Sequence, residues 1–222
     1  MYLWYNVAMT AMTNHRRRIL QLALAAGSAA LAGRAAAAAL AATPPVSLGP
    51  FYPDVKPADS DADLTIVAGR SKRATGTPLY VSGRVLDIRG SPLAAAEIEI
   101  WQANAFGRYH HPRDGEHSGA LDPDFQGYGR LLTDSEGRYR FKTIKPPPYS
   151  GRTPHIHFNV ANGRTRLTTQ MFFEGDKGNE RDFLYRNLGS DERRASTGRW
   201  SDRTAGMESD AVVAVWDIVL RT

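Results

Sequence analysis

Residues 151 to 160 read "GRTPHIHFNV" and set two histidines one residue apart inside a run with strand character. Side chains alternate between faces in a strand, so His155 and His157 point one way and Ile156 and Phe158 the other. Two imidazoles on one face suit a metal ion, although a strand face turned to solvent explains an isolated H-x-H about as well. The chain has no cysteine, so a bound metal must take nitrogen and oxygen ligands. A zinc-hydrolase reading finds no H-E-x-x-H, and no acid lies close before the pair to complete a two-histidine, one-carboxylate ferrous set. Tyrosine offers another route. Tyr149 sits six residues before His155 in "IKPPPYSGRTPHIH", on a loop stiffened by prolines, and Tyr109 lies in "WQANAFGRYHH".

Positioning such donors falls to β-structure. From Thr43 onward, short alternating runs are separated by Gly, Pro and Asp turns. Strands are expected over 79–88, in "AEIEIWQA", in "RYRFKTI", and over 155–161, 166–173 and 211–220; only "ERDFLYRNL" suits a short helix. Strands without intervening helices imply an all-β, antiparallel β-sandwich with little helix. The irregular stretches 102–128 and 144–154, dense in Tyr, His, Arg and Pro, are then long functional loops. Tyr139, Phe141 and Phe158 read as core and Trp101 as packing beneath the site loop, whereas His110 and His111 read as solvated or rim residues.

The chain has 222 residues and 42% hydrophobic content, which suits one ordinary domain. Its formal charge is +5, but residues 1–42 contain four arginines (Arg16, Arg17, Arg18, Arg34) and no acid, so the rest is close to neutral. That disfavours a nucleic-acid partner. The segment 1–42, "NHRRRILQLALAAGSAALAG" within it, has a basic start, a weakly apolar stretch and small residues, and resembles a twin-arginine export signal. It is too interrupted for a membrane anchor, and periplasmic export is expected. Residues 43–78 read as an N-terminal arm and 79–222 as the sandwich domain.

The runs "WQANAFGRY", "DPDFQGYGRLLTDSEGRYRFKTIKPPPY", "RTPHIHF" and "LTTQMFFEGD" resemble the intradiol ring-cleavage dioxygenases, particularly the iron-bearing protocatechuate-type subunit. The likeness runs from about Leu48 to the final "WDIVLRT". It implies a non-haem Fe(III) centre bound by Tyr109, Tyr149, His155 and His157, with Tyr149 the ligand that departs as an internal base. It also implies that Arg152 and Gln170 line the substrate pocket, Arg152 as a cation beside developing negative charge, and that Tyr52 in "GPFYP" contacts substrate. The implied reaction is cleavage of a catecholic ring by O₂ between its hydroxylated carbons to a muconate-type diacid, in a possible homo-oligomer. The rival reading is a transthyretin-like or carbohydrate-binding sandwich without catalysis. Two departures stand out. Only "SGRTP" separates Tyr149 from His155, a short loop for the protocatechuate enzymes, and "KPPPY" has a proline where glycine is common. Catechol, protocatechuate, hydroxyquinol and larger catecholic compounds all remain open as substrates.

Overall fold

The computed structural model describes residues 39–115 and 119–222. The export reading of 1–42, apart from its last four residues, lies outside them, as do His15 and His117. Among the described residues the chain forms nine strands: β1 (Pro78–Asp87), β2 (Glu97–Trp101), β3 (Tyr128–Leu132), β4 (Arg138–Ile144), β5 (His155–Asn162), β6 (Thr165–Phe173), β7 (Thr197–Ser201), β8 (Val212–Val215) and β9 (Ile218–Leu220). Helix is confined to a 3₁₀ turn at Asn179–Arg181 and two short helices, Phe183–Arg186 and Ser190–Ala195. None of these is long and apolar enough to cross a membrane.

The strands run in the order β3-β2-β5-β6-β7-β8-β1-β4, with β9 also paired to β1. The predominance of strand over helix matches the sequence expectation, although β3 and β7 were not foreseen and the pairing is mixed rather than antiparallel. β1 pairs in parallel with β8 and β9, and β6 with β7. The expected strand over 211–220 divides in two because the chain leaves the ladder at Trp216 and Asp217, both off-strand; the Trp216 side chain turns into the core.

One core joins the two ends of this strand path. From the β2, β5 and β6 side come Ile98, Ile100, Ile156, Phe158 and Met171, and from the β1, β4 and β8 side Leu79, Val81, Phe141 and Ala214. Phe158 meets Trp216 edge-on at 5.0 Å and Tyr139 at 6.2 Å, so the two runs of sheet face each other across shared apolar surface. Burial of these side chains, each contributing about 1.5–3 kcal/mol, fixes the register, since a slip of one residue would turn every one of them outward.

That register also places the polar face. Trp101 pairs with His157, and His157 with Gln170, so these three form a row across β2, β5 and β6 on the side away from the core. The preceding segment lies over this side. Val46 N–H donates to Thr168 O at 3.0 Å, and Ser47 O accepts from Gln170 Nε2 at 2.7 Å.

Candidate metal centre

His155 and His157 come from the first turn of alternation in β5, and both are buried. Tyr109 reaches them from the loop after β2. That loop is shaped by Asn104, whose Oδ1 accepts from the N–H groups of Phe106 and Arg108, and is held at Tyr109 N–H by Asp114 Oδ2 at 2.6 Å. Tyr149 arrives on the loop after β4. Its backbone exchanges hydrogen bonds with Arg152 across a two-residue turn in which Ser150 (φ 45°) and Gly151 (φ 77°) both adopt the left-handed conformation. Such a turn reverses the chain within the shortened "SGRTP" loop.

The four side chains meet. Tyr109 Oη lies 3.0 Å from Tyr149 Oη and 3.0 Å from His157 Nε2, and Tyr149 Oη lies 3.3 Å from His155 Nε2. His155 Nδ1–H donates to Thr153 O at 2.7 Å, which leaves the Nε2 lone pair facing the cluster. Two glycines permit the approach. A Cβ on Gly49 (φ 72°) would stand 3.1 Å from His157 Cε1, and one on Gly107 (φ 77°) 3.1 Å from Tyr149 Cβ.

Electrostatics hold all four groups neutral. Burial, then the neighbouring Tyr149, pushes the Tyr109 hydroxyl well above the ordinary tyrosine range, and burial also raises Tyr149. Burial and then the Arg152 charge lower His155 to about 4; burial, His155 and Arg152 hold His157 well below the ordinary histidine range. Neutral imidazoles are ready ligands, while the phenols need a cation to release their protons.

The residues fit a metal ion. Ligands about 2 Å from a common centre stand roughly 2.8–3.5 Å apart, the range in which these donor atoms lie. Among the described residues no three His, Asp or Glu side chains converge as a metal site, so a cation here depends on phenolate oxygen. Hard, highly charged ions suit that donor.

Arg152 and Gln170 flank the cluster as a linked pair. Arg152 donates through NH2 to Gln170 Oε1 and through Nε to Asp182 Oδ2, each at 2.7 Å. Asp182 was not singled out in the sequence. It is fully buried, accepts also from Thr153 N–H, and caps the helix Phe183–Arg186 by accepting from the N–H groups of Leu184 and Tyr185. Its signal was the aspartate opening "DFLYR", an N-cap residue before the one helical run noted. Trp101 packs as expected, stacked on His157 at 4.8 Å.

The Tyr52 ring packs on Trp101 and its hydroxyl donates to Glu99 Oε2 at 2.7 Å. One expectation changes. His111 is buried, not solvated, because its ring packs against Phe51 and its Nδ1 accepts from Arg113 N–H. His110 is exposed as expected.

A family model described as "Dioxygenase" matches residues 48–222. The chain is 42% identical over 170 residues to a protocatechuate 3,4-dioxygenase beta chain from Burkholderia cepacia, covering 72% of each chain. It is 34% identical over 164 residues to a hydroxyquinol 1,2-dioxygenase from Nocardioides simplex, where the match covers 65% of this chain and 52% of the relative. The dioxygenase domain of a dioxygenase carbohydrate-binding protein fusion from Streptomyces sp. SirexAA-E superposes with a TM-score of 0.62 at 29% identity, covering 82% of this chain and 99% of that one. Catechol 1,2-dioxygenase from Pseudomonas arvilla C-1 superposes with a TM-score of 0.60 at 27% identity, covering 93% and 68%. The matched span contains the whole sheet and every one of the converging donors, and the chain belongs to the intradiol ring-cleavage dioxygenase family.

Proposed function

We propose that this protein binds non-haem Fe(III) through Tyr109, Tyr149, His155 and His157, and uses O₂ to open a catecholic ring between its two hydroxylated carbons, giving a muconate-type dicarboxylic acid. The observation that carries the reading is the convergence of two phenols and two imidazoles within 3.3 Å of their neighbours. A binding module of the same scaffold has no use for two buried phenols beside H-x-H.

Held by these four side chains, a ferric ion would supply the electron-withdrawing centre that makes a ring carbon of the catecholate susceptible to O₂. The protein supplies the rest. Catechol must lose both hydroxyl protons: the Tyr149 phenolate oxygen would take one, and a hydroxide entering with the ion would take the other. Tyr149 suits this role because it is half-buried on a surface turn, whereas Tyr109 is 2% exposed and packed against Phe51 at 4.8 Å. Arg152 places a permanent cation beside the negative charge that grows on the ring, and its bonds to Asp182 and Gln170 fix its direction in advance. The cover given by Ser47 and Gly49 keeps His157 dry.

The test is to load the protein with iron and incubate it with catechol, protocatechuate and hydroxyquinol under ¹⁸O₂. A ring-opened diacid carrying two labelled atoms is expected from at least one of them, and iron-loaded protein is expected to be reddish from phenolate charge transfer. Colourless protein that converts none of the three would refute the reading. We propose also that the chain is exported to the periplasm, on the strength of "NHRRRILQLAL" near its start.

A further inference from the structure

The step Asp182–Phe183 opens the short helix Phe183–Arg186, which buries none of its own residues. Phe183 is 60% exposed and joins none of the apolar clusters of the described residues. A single exposed apolar side chain is ordinary on a protein surface. What sets this one apart is that its ring faces a cation. The Arg152 guanidinium carbon stands 5.5 Å from the ring centroid, inside the roughly 6 Å over which an aromatic face attracts a positive charge.

The other contacts of Arg152 hold it along its edges. Nε–H donates to Asp182 Oδ2 and Nη2–H to Gln170 Oε1, each at 2.7 Å, and the side chain is 12% exposed. Hydrogen bonds from a guanidinium lie near its plane, so these two fix its direction but leave it able to tilt about the line that joins them. A ring over one face opposes that tilt. It also stands where water would otherwise be, so the charge is less screened. Among the described residues Nη1 makes no hydrogen bond, and it is the nitrogen left for a substrate.

We propose that Phe183 is a positioning residue for the ring-opening reaction: its aromatic face holds the Arg152 guanidinium in one orientation, with Nη1 turned to the negative charge that grows on the substrate. The consequence for turnover rests on the function proposed above; the hold on Arg152 rests on the geometry alone. Leucine would cover the same surface without the negative ring face that attracts the cation, whereas tryptophan would supply a stronger one.

The test compares Phe183→Leu and Phe183→Trp with the native chain in two ways. In metal-free protein, exchange of Arg152 Nε–H with water, followed by NMR, should be at least about threefold faster in the leucine variant and native-like in the tryptophan variant. In iron-loaded protein, with whichever catechol the native chain opens, kcat should fall by about three- to tenfold in the leucine variant, with KM and iron content unchanged, and tryptophan should restore it. In an Arg152→Gln background the leucine substitution should cost nothing more, because the group it acts through is gone. Native exchange or native kcat in Phe183→Leu, or an equal loss of kcat in the Arg152→Gln background, would overturn the assignment. Failure of the native chain to open any catechol would refute the proposed reaction instead, and the exchange rates would still decide whether Phe183 holds Arg152.

Discussion

At the scale of single residues, the arrangement separates groups that would hold the metal from groups that aim charge at the substrate. Tyr149→Phe keeps the ring but removes the oxygen proposed to take the proton. Turnover of iron-loaded protein should drop by roughly 10²–10⁴-fold, the usual worth of a positioned base, with the visible band altered. Unchanged rate and colour would exclude Tyr149 from both roles. Asp182→Asn tests the other group. Burial would raise this carboxyl, yet the Arg152 guanidinium beside it and the N–H groups of Thr153 and Tyr185 keep it below the ordinary range, so it stands as a carboxylate. The amide keeps an acceptor for the helix cap but no charge for Arg152. Unfolding free energy should fall by about 2–4 kcal/mol, measured by urea titration. Iron content should stay near stoichiometric and kcat fall, because Arg152 loses its anchor and the four donors do not.

At the scale of elements, the site depends on loops approaching the sheet more closely than a side chain at certain positions allows. Gly49→Ala puts a methyl group against His157 and forces φ 72° on an L-residue; Gly107→Ala does the same against Tyr149. Each should cost about 1–2 kcal/mol and lower iron retention during dialysis against a chelator. Full retention in both would mean that the loops yield freely. The same dependence explains what the sequence disclosed. β5 was legible because Ile156, Phe158 and Val160 alternate cleanly with polar neighbours, and that alternation put both histidines on one face. β3 was not read as a strand, its first residue taken into the loop over 102–128 and the rest unassigned, because Gly129 interrupts "YGRLL", and the glycine is there because Asp61 O and Leu64 cross where its Cβ would stand. β7, "TGRWS", buries only Gly198 and so shows no period. Parallel pairing of β1 with β8 and β9 left no local trace either, since strands that pair in parallel are joined by long connections. The donor tyrosines carried no periodic signal at all and became legible only through the resemblance of their surrounding motifs.

At the scale of the whole molecule, one carboxylate ties the leading segment to three strands. Glu99, on β2, accepts from Tyr52 and Lys56 of that segment, from Tyr128 at the start of β3 and from Asn159 of β5. Burial alone would raise its pKa, but these bonds, that of Lys56 foremost, bring it down to about 2. A carboxyl whose folded pKa lies below its unfolded value of 4.5 contributes stability that is complete above pH 4.5 and lost as pH falls through about 2. Tyr52 packs on Trp101, and Trp101 on His157, so loosening this tie reaches the donor cluster through two ring contacts. Other depressed carboxyls, Asp87, Asp182 and Glu208, will also weaken the fold in acid, so a simple acid titration cannot single out Glu99. A comparison with Glu99→Gln does. The variant is expected to be the less stable protein at pH 6, since it has lost the charge that Lys56 meets. Its urea midpoint should then decline less than that of the native chain between pH 5 and pH 3, because it has no proton to take up at this position. Parallel declines would show that Glu99 is no more strongly bound in the folded state than in the unfolded one, and that the segment is held to the sheet by its apolar contacts alone.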